Sequence, residues 1–188
     1  MPVGRFPGAM VACDPRSAFL GRRRIIASSQ GDSNMPKKPT HADAELILKL
    51  YDARREAEMR KARHWWTTTF WPQSADEVVR VMLGMGTQEN AWFRQVLGYW
   101  GMASSFVSHG ILSEELFFEP SFSGEMFFIY AKLEPYLGEL REKMQNPMLL
   151  ANLEKLVRSK NGQERYKVIS KNVENQRKAR AESMAKAS

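Results

Sequence analysis

Histidine and carboxylate side chains are the residues in this sequence that could perform chemistry. The three histidines are His41, His64 and His109. A di-iron site in a helical bundle uses a glutamate three residues before a histidine, so that both ligands lie on one helix face. Lysine or phenylalanine stands at that position before each of these histidines. The spacing disfavours a di-iron site, and the sequence predicts neither a metal site nor a cofactor.

An acidic cluster lies among phenylalanines in the middle of the chain. Its members are Glu114, Glu115, Glu119 and Glu125. Two such carboxylates that share one proton can act as acid and base, but glutamates in the first turn of a helix usually complement the helix dipole. The sequence has no HExxH motif, Walker loop, dinucleotide glycine motif or nucleophile elbow. It therefore favours a protein that is not an enzyme and leaves an unrecognised active site open.

The segment 91–112, AWFRQVLGYWGMASSFVSHGIL, predicts a central helix that is buried nearly all round. Small residues recur along it at 98, 101, 105 and 108, spacings that place them on one helix face. Such a face allows close packing of another helix, which is the default, or leaves room for a ligand. The predicted lining of that pocket is Trp92, Gly98, Tyr99, Gly101, Ser105, Phe106 and His109, with Glu125 across from them.

Two simpler interpretations apply to the same segment. Its 22 residues could span a membrane, but Arg94, Gln95, three glycines and three serines oppose that. His109 precedes Gly110 in the last helical turn, where an imidazole can hydrogen-bond to the terminal carbonyl groups. No membrane span is expected.

The run RHWWTTTFWP at 63–72 holds three tryptophans and a phenylalanine. Aromatic side chains at a corner between two helices fix the angle between them, so a core role is the main prediction. A membrane belt is disfavoured because the preceding helix is rich in charge. Tryptophan and arginine also anchor protein interfaces. The interface candidates are Trp65, Trp66, Phe70 and Trp71 as anchors, with Arg54 and Arg55 as the polar rim.

Helical periodicity runs through 40–160, and no segment alternates with the period of a strand. The predicted fold is all-α, a single bundle of about six helices around the buried central helix. The expected helices begin at Thr40 (ending near Thr67–Thr69), at Ser74, near Thr87–Asn90, at Ser113, at Ser123 or Gly124 (with Pro135 as a kink) and at Asn146-Pro147.

The net charge of +7 is concentrated at the two ends of the chain. Residues 1–34 carry +3, residues 158–188 carry +6, and the rest carries −2. We expect a disordered arm over 1–39, either a targeting arm or a region upstream of a native start at Met35, then a bundle domain over 40–160. The single cysteine, Cys13, allows no internal disulfide and fits a reducing, cytoplasmic setting.

The segment 161–188 predicts a helix, after a turn at Asn161-Gly162, that frays into a basic tail. A nucleic acid is one possible partner of that tail, although no aromatic platform is interleaved with its charges and a solvated helix face is the more usual explanation. The candidates for phosphate contact are Lys160, Arg165, Lys167, Lys171, Arg177, Lys178 and Arg180.

Three stretches between 42 and 150, LYDARREAEMRKARHWW, FRQVLGYWGMASSFVSHGIL and FSGEMFFIYAKLEPYL, resemble small uncharacterised helical proteins from bacteria. That resemblance implies a helical fold and transfers no activity and no functional residue. The first functional hypothesis is a non-enzymatic, cytoplasmic protein that acts through protein–protein contact, with a protein partner or as a homo-oligomer. The alternatives are a ligand-binding or enzymatic bundle that uses the small-residue face, and a nucleic-acid-associated protein that uses the tail.

Overall fold

The computed structural model describes residues 38–187, and every regular element in that range is helical. The predicted arm up to residue 37, with Cys13 and the proposed start at Met35, lies outside the described residues. The described part of the chain is an all-α bundle built around a buried central helix, which confirms the predicted fold class.

Nine α-helices follow one another over residues 38–187, with one π-helical turn and one 3₁₀ turn between them. The first half holds α1 (His41–Arg55), α2 (Ala57–His64), the π-helical turn (Trp65–Thr69), α3 (Ala75–Leu83) and α4 (Gln88–Ser108). The second half holds α5 (Glu114–Phe117), α6 (Pro120–Leu133), the 3₁₀ turn (Glu134–Tyr136), α7 (Leu137–Lys143), α8 (Ala151–Val157) and α9 (Lys160–Ala187).

Helix α1 begins at the predicted cap. The hydroxyl of Thr40 accepts a hydrogen bond from the Asp43 amide, and the Asp43 carboxylate accepts one from the Thr40 amide. The other carboxylate oxygen of Asp43 accepts the Ser113 amide at 2.8 Å, which ties the start of α1 to the start of α5. The cap therefore also serves a tertiary contact.

The single helix predicted from Thr40 to the aromatic corner is wrong, because Glu56 interrupts it. This residue has extended backbone angles, φ −54° and ψ 143°, and its carboxylate accepts the amide of Met59 at 2.8 Å. Glu56 therefore acts as the N-cap of a new helix. The break changes the direction of the chain between α1 and α2, which pack on different neighbours, α5 and α4.

Helix α4 is the central helix that the sequence predicted. It packs against α2, α3 and α8. Val96, Trp100 and Ala103 on α4 are each no more than 1% exposed. The large apolar side chains of α6, among them Met126, Phe127 and Ile129, are also fully buried. The core is thus formed mainly by α4 and α6, with the aromatic corner beside them.

Two helix starts in the second half differ from the prediction. Helix α6 begins at Pro120 instead of Ser123, since proline is well suited to the first turn of a helix. Asn146-Pro147 does not cap a helix, and α8 begins only at Ala151, after Leu150 with a positive φ of 60°. The segment 145–150 forms turns, because two non-glycine residues in it, Gln145 and Leu150, adopt the left-handed conformation.

Helix α9 replaces the predicted turn and tail with 28 continuous helical residues. Gly162 lies within its first turn, and a Cβ atom there would come 2.0 Å from the Leu156 carbonyl oxygen. The glycine is therefore needed for close approach of α9 to α8, and no turn forms at it. Packing of α9 along α6 buries Val173 and explains why the helix continues. Within residues 38–187, no helix is long and apolar enough to cross a membrane.

Candidate functional site

The predicted interface anchors at the aromatic corner lie mostly in the core. Trp65, Trp66 and Phe70 are 7%, 0% and 8% exposed. The Trp65 ring stacks on Phe70 at 4.6 Å, and Trp66 packs on Phe93 at 5.0 Å. The π-helical turn brings these rings together on one side, so they present almost no surface to a partner. Their role in this structure is the corner packing that the sequence also predicted.

Arg54, predicted for the polar rim of that interface, is buried in an ion cluster. Its guanidinium donates to the Glu125 carboxylate at 2.8 Å and to the Phe122 carbonyl at 2.9 Å. Arg63 donates to the same Glu125 oxygen at 2.7 Å. The guanidinium of Arg54 also lies 5.2 Å from the centre of the Trp100 ring. Arg54 therefore links α1 to α6, and only Arg55 of the two predicted rim residues is exposed.

Trp71 is the anchor candidate that stays half-exposed, and it lies in a cluster of cations. The fully buried amine of Lys132 is 3.9 Å from the centre of the Trp71 ring and donates to the Trp66 carbonyl at 2.6 Å. Arg180 lies over the same ring at 4.7 Å. Burial, together with the charges of Arg180 and Arg177, lowers the pKa of Lys132 to about 7. No sequence pattern pointed to this buried lysine.

Three of the candidates for nucleic-acid contact hydrogen-bond to other elements of the fold, and the first is Arg165, whose guanidinium donates to the Ser123 hydroxyl at 3.4 Å. Arg177 donates to the Lys132 carbonyl at 3.1 Å, and Arg180 donates to the Thr68 carbonyl at 3.0 Å. Lys178 pairs with Glu174 on the surface of α9. Lys167 and Lys171 are exposed. The seven candidates therefore do not form one free basic surface, because three hydrogen-bond to other elements and Lys178 is paired with Glu174.

The predicted pocket residues are spread over different parts of α4. The Tyr99 hydroxyl donates to the Leu50 carbonyl at 3.0 Å, and its burial raises its pKa above the usual range. Trp92 lines a separate cleft with Trp65. His109 Nδ1 lies 2.8 Å from the Ser105 carbonyl oxygen, in agreement with the simpler interpretation of that histidine as a helix-end contact. Glu125 belongs to the ion cluster. These residues do not converge on one site.

Gly98 and Gly101 do line a common groove, between α4, α3 and the segment that leads into α8. Its volume is about 610 Å³. A Cβ atom built on either glycine would meet nothing within 4 Å, so both positions face open space. The remaining lining is mostly apolar, and Arg94 is its charged member. The other residues along it are Met82, Phe93, Leu97 and residues 148–153.

Two exposed methionines border this apolar groove. Met148 on its lining and Met85 beside Arg94 are each 71% exposed. The Met85 sulfur lies 3.9 Å from a terminal nitrogen of Arg94. Methionine adapts its shape to different partners and is common on promiscuous binding surfaces. The spacing of small residues predicted the glycines but not the methionines, whose number, 11, was a signal that could have pointed to them.

The geometry thus defines a helical-bundle domain whose surface carries an open apolar groove at Gly98 and Gly101. This chain belongs to the family of the domain of unknown function DUF4760, whose model matches residues 39–160. No curated protein and no solved structure matches the chain. The family match confirms the predicted kinship with uncharacterised proteins. The matched region ends at the first residue of α9, so this helix lies almost entirely beyond it.

Proposed function

We propose that this protein acts through protein–protein contact and that the groove beside Gly98 and Gly101 is its contact surface. The observation that carries the proposal is the apolar groove itself, open at the two glycines and bordered by exposed methionines. An apolar groove rimmed by polar residues is a common location for contact with another protein. The contact surface therefore differs from the aromatic corner, where the sequence placed the interface candidates.

The groove also has the composition of a surface that receives an apolar segment of another chain. Its floor is helix backbone at the two glycines, which lets a partner approach α4 closely. Arg94 at its edge supplies a charge that can orient the partner. A metal or a cofactor has no part in this proposal, which requires no catalytic residue.

Gly101→Leu tests this function because a Cβ atom there meets nothing within 4 Å, so the added side chain begins in the open groove. Gly138→Leu is the matched control, since a Cβ atom there also meets nothing within 4 Å and Gly138 lies on α7, outside the groove lining. The tagged wild-type chain and both variants are used to capture proteins from a lysate of the source cells. We expect one protein, or the untagged chain itself, to be enriched by the wild type and by Gly138→Leu and reduced at least about tenfold by Gly101→Leu. Equal enrichment by all three chains, or none by any, would contradict the proposal.

The setting that we propose is the cytoplasm of a bacterium. A single cysteine is consistent with a reducing compartment, and the helical segments resemble uncharacterised bacterial proteins. Fractionation of cells that express the full chain tests this location, and recovery in the membrane or secreted fraction would count against it.

A small apolar ligand is the second candidate occupant of the groove. The volume of about 610 Å³ falls within the range of ligand pockets. Native mass spectrometry of the purified full chain separates the two candidates. A mass excess that disappears on denaturation and is missing from Gly101→Leu would indicate a ligand, whereas a bare chain that still captures a protein would favour the contact function.

A further inference from the structure

Helix α1 carries a second exposed apolar surface, which we call the α1 stripe. It consists of Ala44, Leu48 and Tyr51, at spacings of four and three residues that place them on one face of a helix. Leu48 is 63% exposed and Tyr51 is 48% exposed. The stripe lies next to Ile47, which is half-buried, so it continues the apolar surface of α1 outward from the core.

The α1 stripe has the pattern by which a helix binds in a groove. Such recognition uses apolar anchors at positions i, i+3 or i+4, and i+7, and Ala44, Leu48 and Tyr51 occupy three of these. The groove beside Gly98 and Gly101 offers a floor without side chains at those two positions. Each surface therefore provides the shape that the other needs, and both are exposed on the same chain.

Charge complements this match of shapes. Glu45 and Asp52 are exposed, are seven residues apart and lie along one edge of the α1 stripe. Arg94 is the charged residue of the groove, and among residues 38–187 no carboxylate lies within ion-pair distance of its guanidinium. An acidic edge on the helix and an arginine at the groove that has no carboxylate partner favour one orientation of docking.

We infer that the occupant of the groove is the α1 stripe of a second copy of this chain. The contact is heterologous, because two different surfaces meet, and each pair of copies keeps one free groove and one free stripe. Repetition of the contact adds further copies and gives a ring or an open chain of subunits. This inference rests on the proposed function and names the partner for the same groove.

A complementation experiment with two full-length variants tests the arrangement. Gly101→Leu fills the groove and leaves the stripe intact. Leu48→Lys places a cation at an exposed position of the stripe, where docking into the apolar groove would bury it, and leaves the groove intact. Gly98→Leu is a second groove variant in case Gly101→Leu does not fold. Circular dichroism and thermal unfolding establish that each variant is folded.

Sedimentation and native mass spectrometry over roughly 10–500 µM report the assembly, a range set by the modest area that one helix face can bury. We expect the wild type and Gly138→Leu to associate in a concentration-dependent manner, and each of the two variants alone to associate at least about tenfold more weakly. An equimolar mixture of Gly101→Leu and Leu48→Lys should form a heterodimer and nothing larger, through the one intact groove and the one intact stripe.

Three results would overturn the inference. A mixture that stays monomeric while the wild type associates would show that the groove does not bind the stripe. Undiminished association of Leu48→Lys alone would exclude the stripe as the occupant. A wild-type chain that is monomeric up to about 500 µM would exclude self-association at any relevant strength. In the last case the lysate experiment with Gly101→Leu still decides independently whether the groove binds another protein.

Discussion

At the scale of single residues, Lys132 couples the fold to pH. Its pKa is about 7 in the folded protein against 10.5 for an ordinary lysine. Between these two values the unfolded chain binds one proton more than the folded chain, so the free energy of unfolding rises with pH. Below about pH 7 the lysine is protonated in both states, and this contribution no longer changes.

We expect the free energy of unfolding to increase by up to about 1.4 kcal/mol per pH unit between pH 7 and pH 9. Lys132→Met keeps the length of the side chain and removes the titrating group. That variant should lack the increase and should be more stable than the wild type at pH 7. Urea unfolding at pH 7, 8 and 9 measures the free energy of unfolding of the wild type and of Lys132→Met. An equal increase of that free energy with pH in both chains would rule out Lys132 as the cause.

Glu125 binds the buried Arg54 and the half-buried Arg63. Its side chain is 8% exposed, and one of its oxygens accepts hydrogen bonds from both Arg54 and Arg63. Removal of one member of a buried ion cluster leaves the remaining charge without compensation. We expect Glu125→Gln to lower the free energy of unfolding by about 3 kcal/mol, as measured by urea unfolding at pH 8. Glu119→Gln, at an exposed carboxylate, should leave the free energy of unfolding unchanged. Similar losses of stability in both variants would show that burial of the ion cluster does not add to the effect of the substitution.

At the scale of helices, the glycines divide into two groups with opposite roles. Gly98 and Gly101 have open space where a side chain would begin, whereas Gly162 lies against the Leu156 carbonyl. Alanine favours helix over glycine by about 1 kcal/mol. Gly98→Ala and Gly101→Ala should each raise the free energy of unfolding by about that amount, whereas Gly162→Ala should lower it because α9 would have to move away from α8. Thermal unfolding of the three variants tests the signs, and stabilisation by Gly162→Ala would contradict the close approach.

Sequence patterns predicted those features that depend on a few neighbouring residues. The caps at Thr40, Ser74 and Ser113 and the length of α4 are local, and the structure confirms them. The break at Glu56 was missed because glutamate is a good helix former and becomes a cap only when the chain turns there. The placement of the candidate residues depends on contacts between distant segments, such as Arg54 with Glu125, and no local pattern encodes those.

At the scale of the whole molecule, α9 lies beyond the matched family region and is held to it by different contacts along its length. Near its start Tyr166 packs on Tyr130, and further along Val173 is buried. Its later part is attached by arginines that donate to backbone carbonyls, Arg177 to Lys132 and Arg180 to Thr68. These polar contacts hold the end of α9 more weakly than the apolar packing holds its start.

We therefore expect the double substitution Arg177→Ala and Arg180→Ala to release the end of α9 without unfolding the bundle. Two hydrogen bonds from charged donors together stabilise the docked end of the helix by about 3 kcal/mol. The net loss in the variant is smaller than this, because removal of the two arginines also removes their repulsion of Lys132. Hydrogen exchange should become faster after residue 176 and stay unchanged in α4. Lys171→Ala removes an exposed cation from the same helix and serves as the control. Unchanged exchange in the double variant would mean that the arginines do not hold the helix.

The π-helical turn at Trp65–Thr69 also determines where the length of this chain can vary. The Phe70 amide donates to the Trp65 carbonyl at 2.9 Å, so the turn encloses one residue more than an α-helical turn. Deletion of one threonine at this corner would let an α-helical turn close between the same two ends, with Trp65 and Phe70 still in the core. Deletion of one residue within α4 would rotate everything after it by about 100°. Where relatives differ by a single residue within their helical segments, the difference should therefore fall at this corner, where the extra residue is absorbed without a change in the packing.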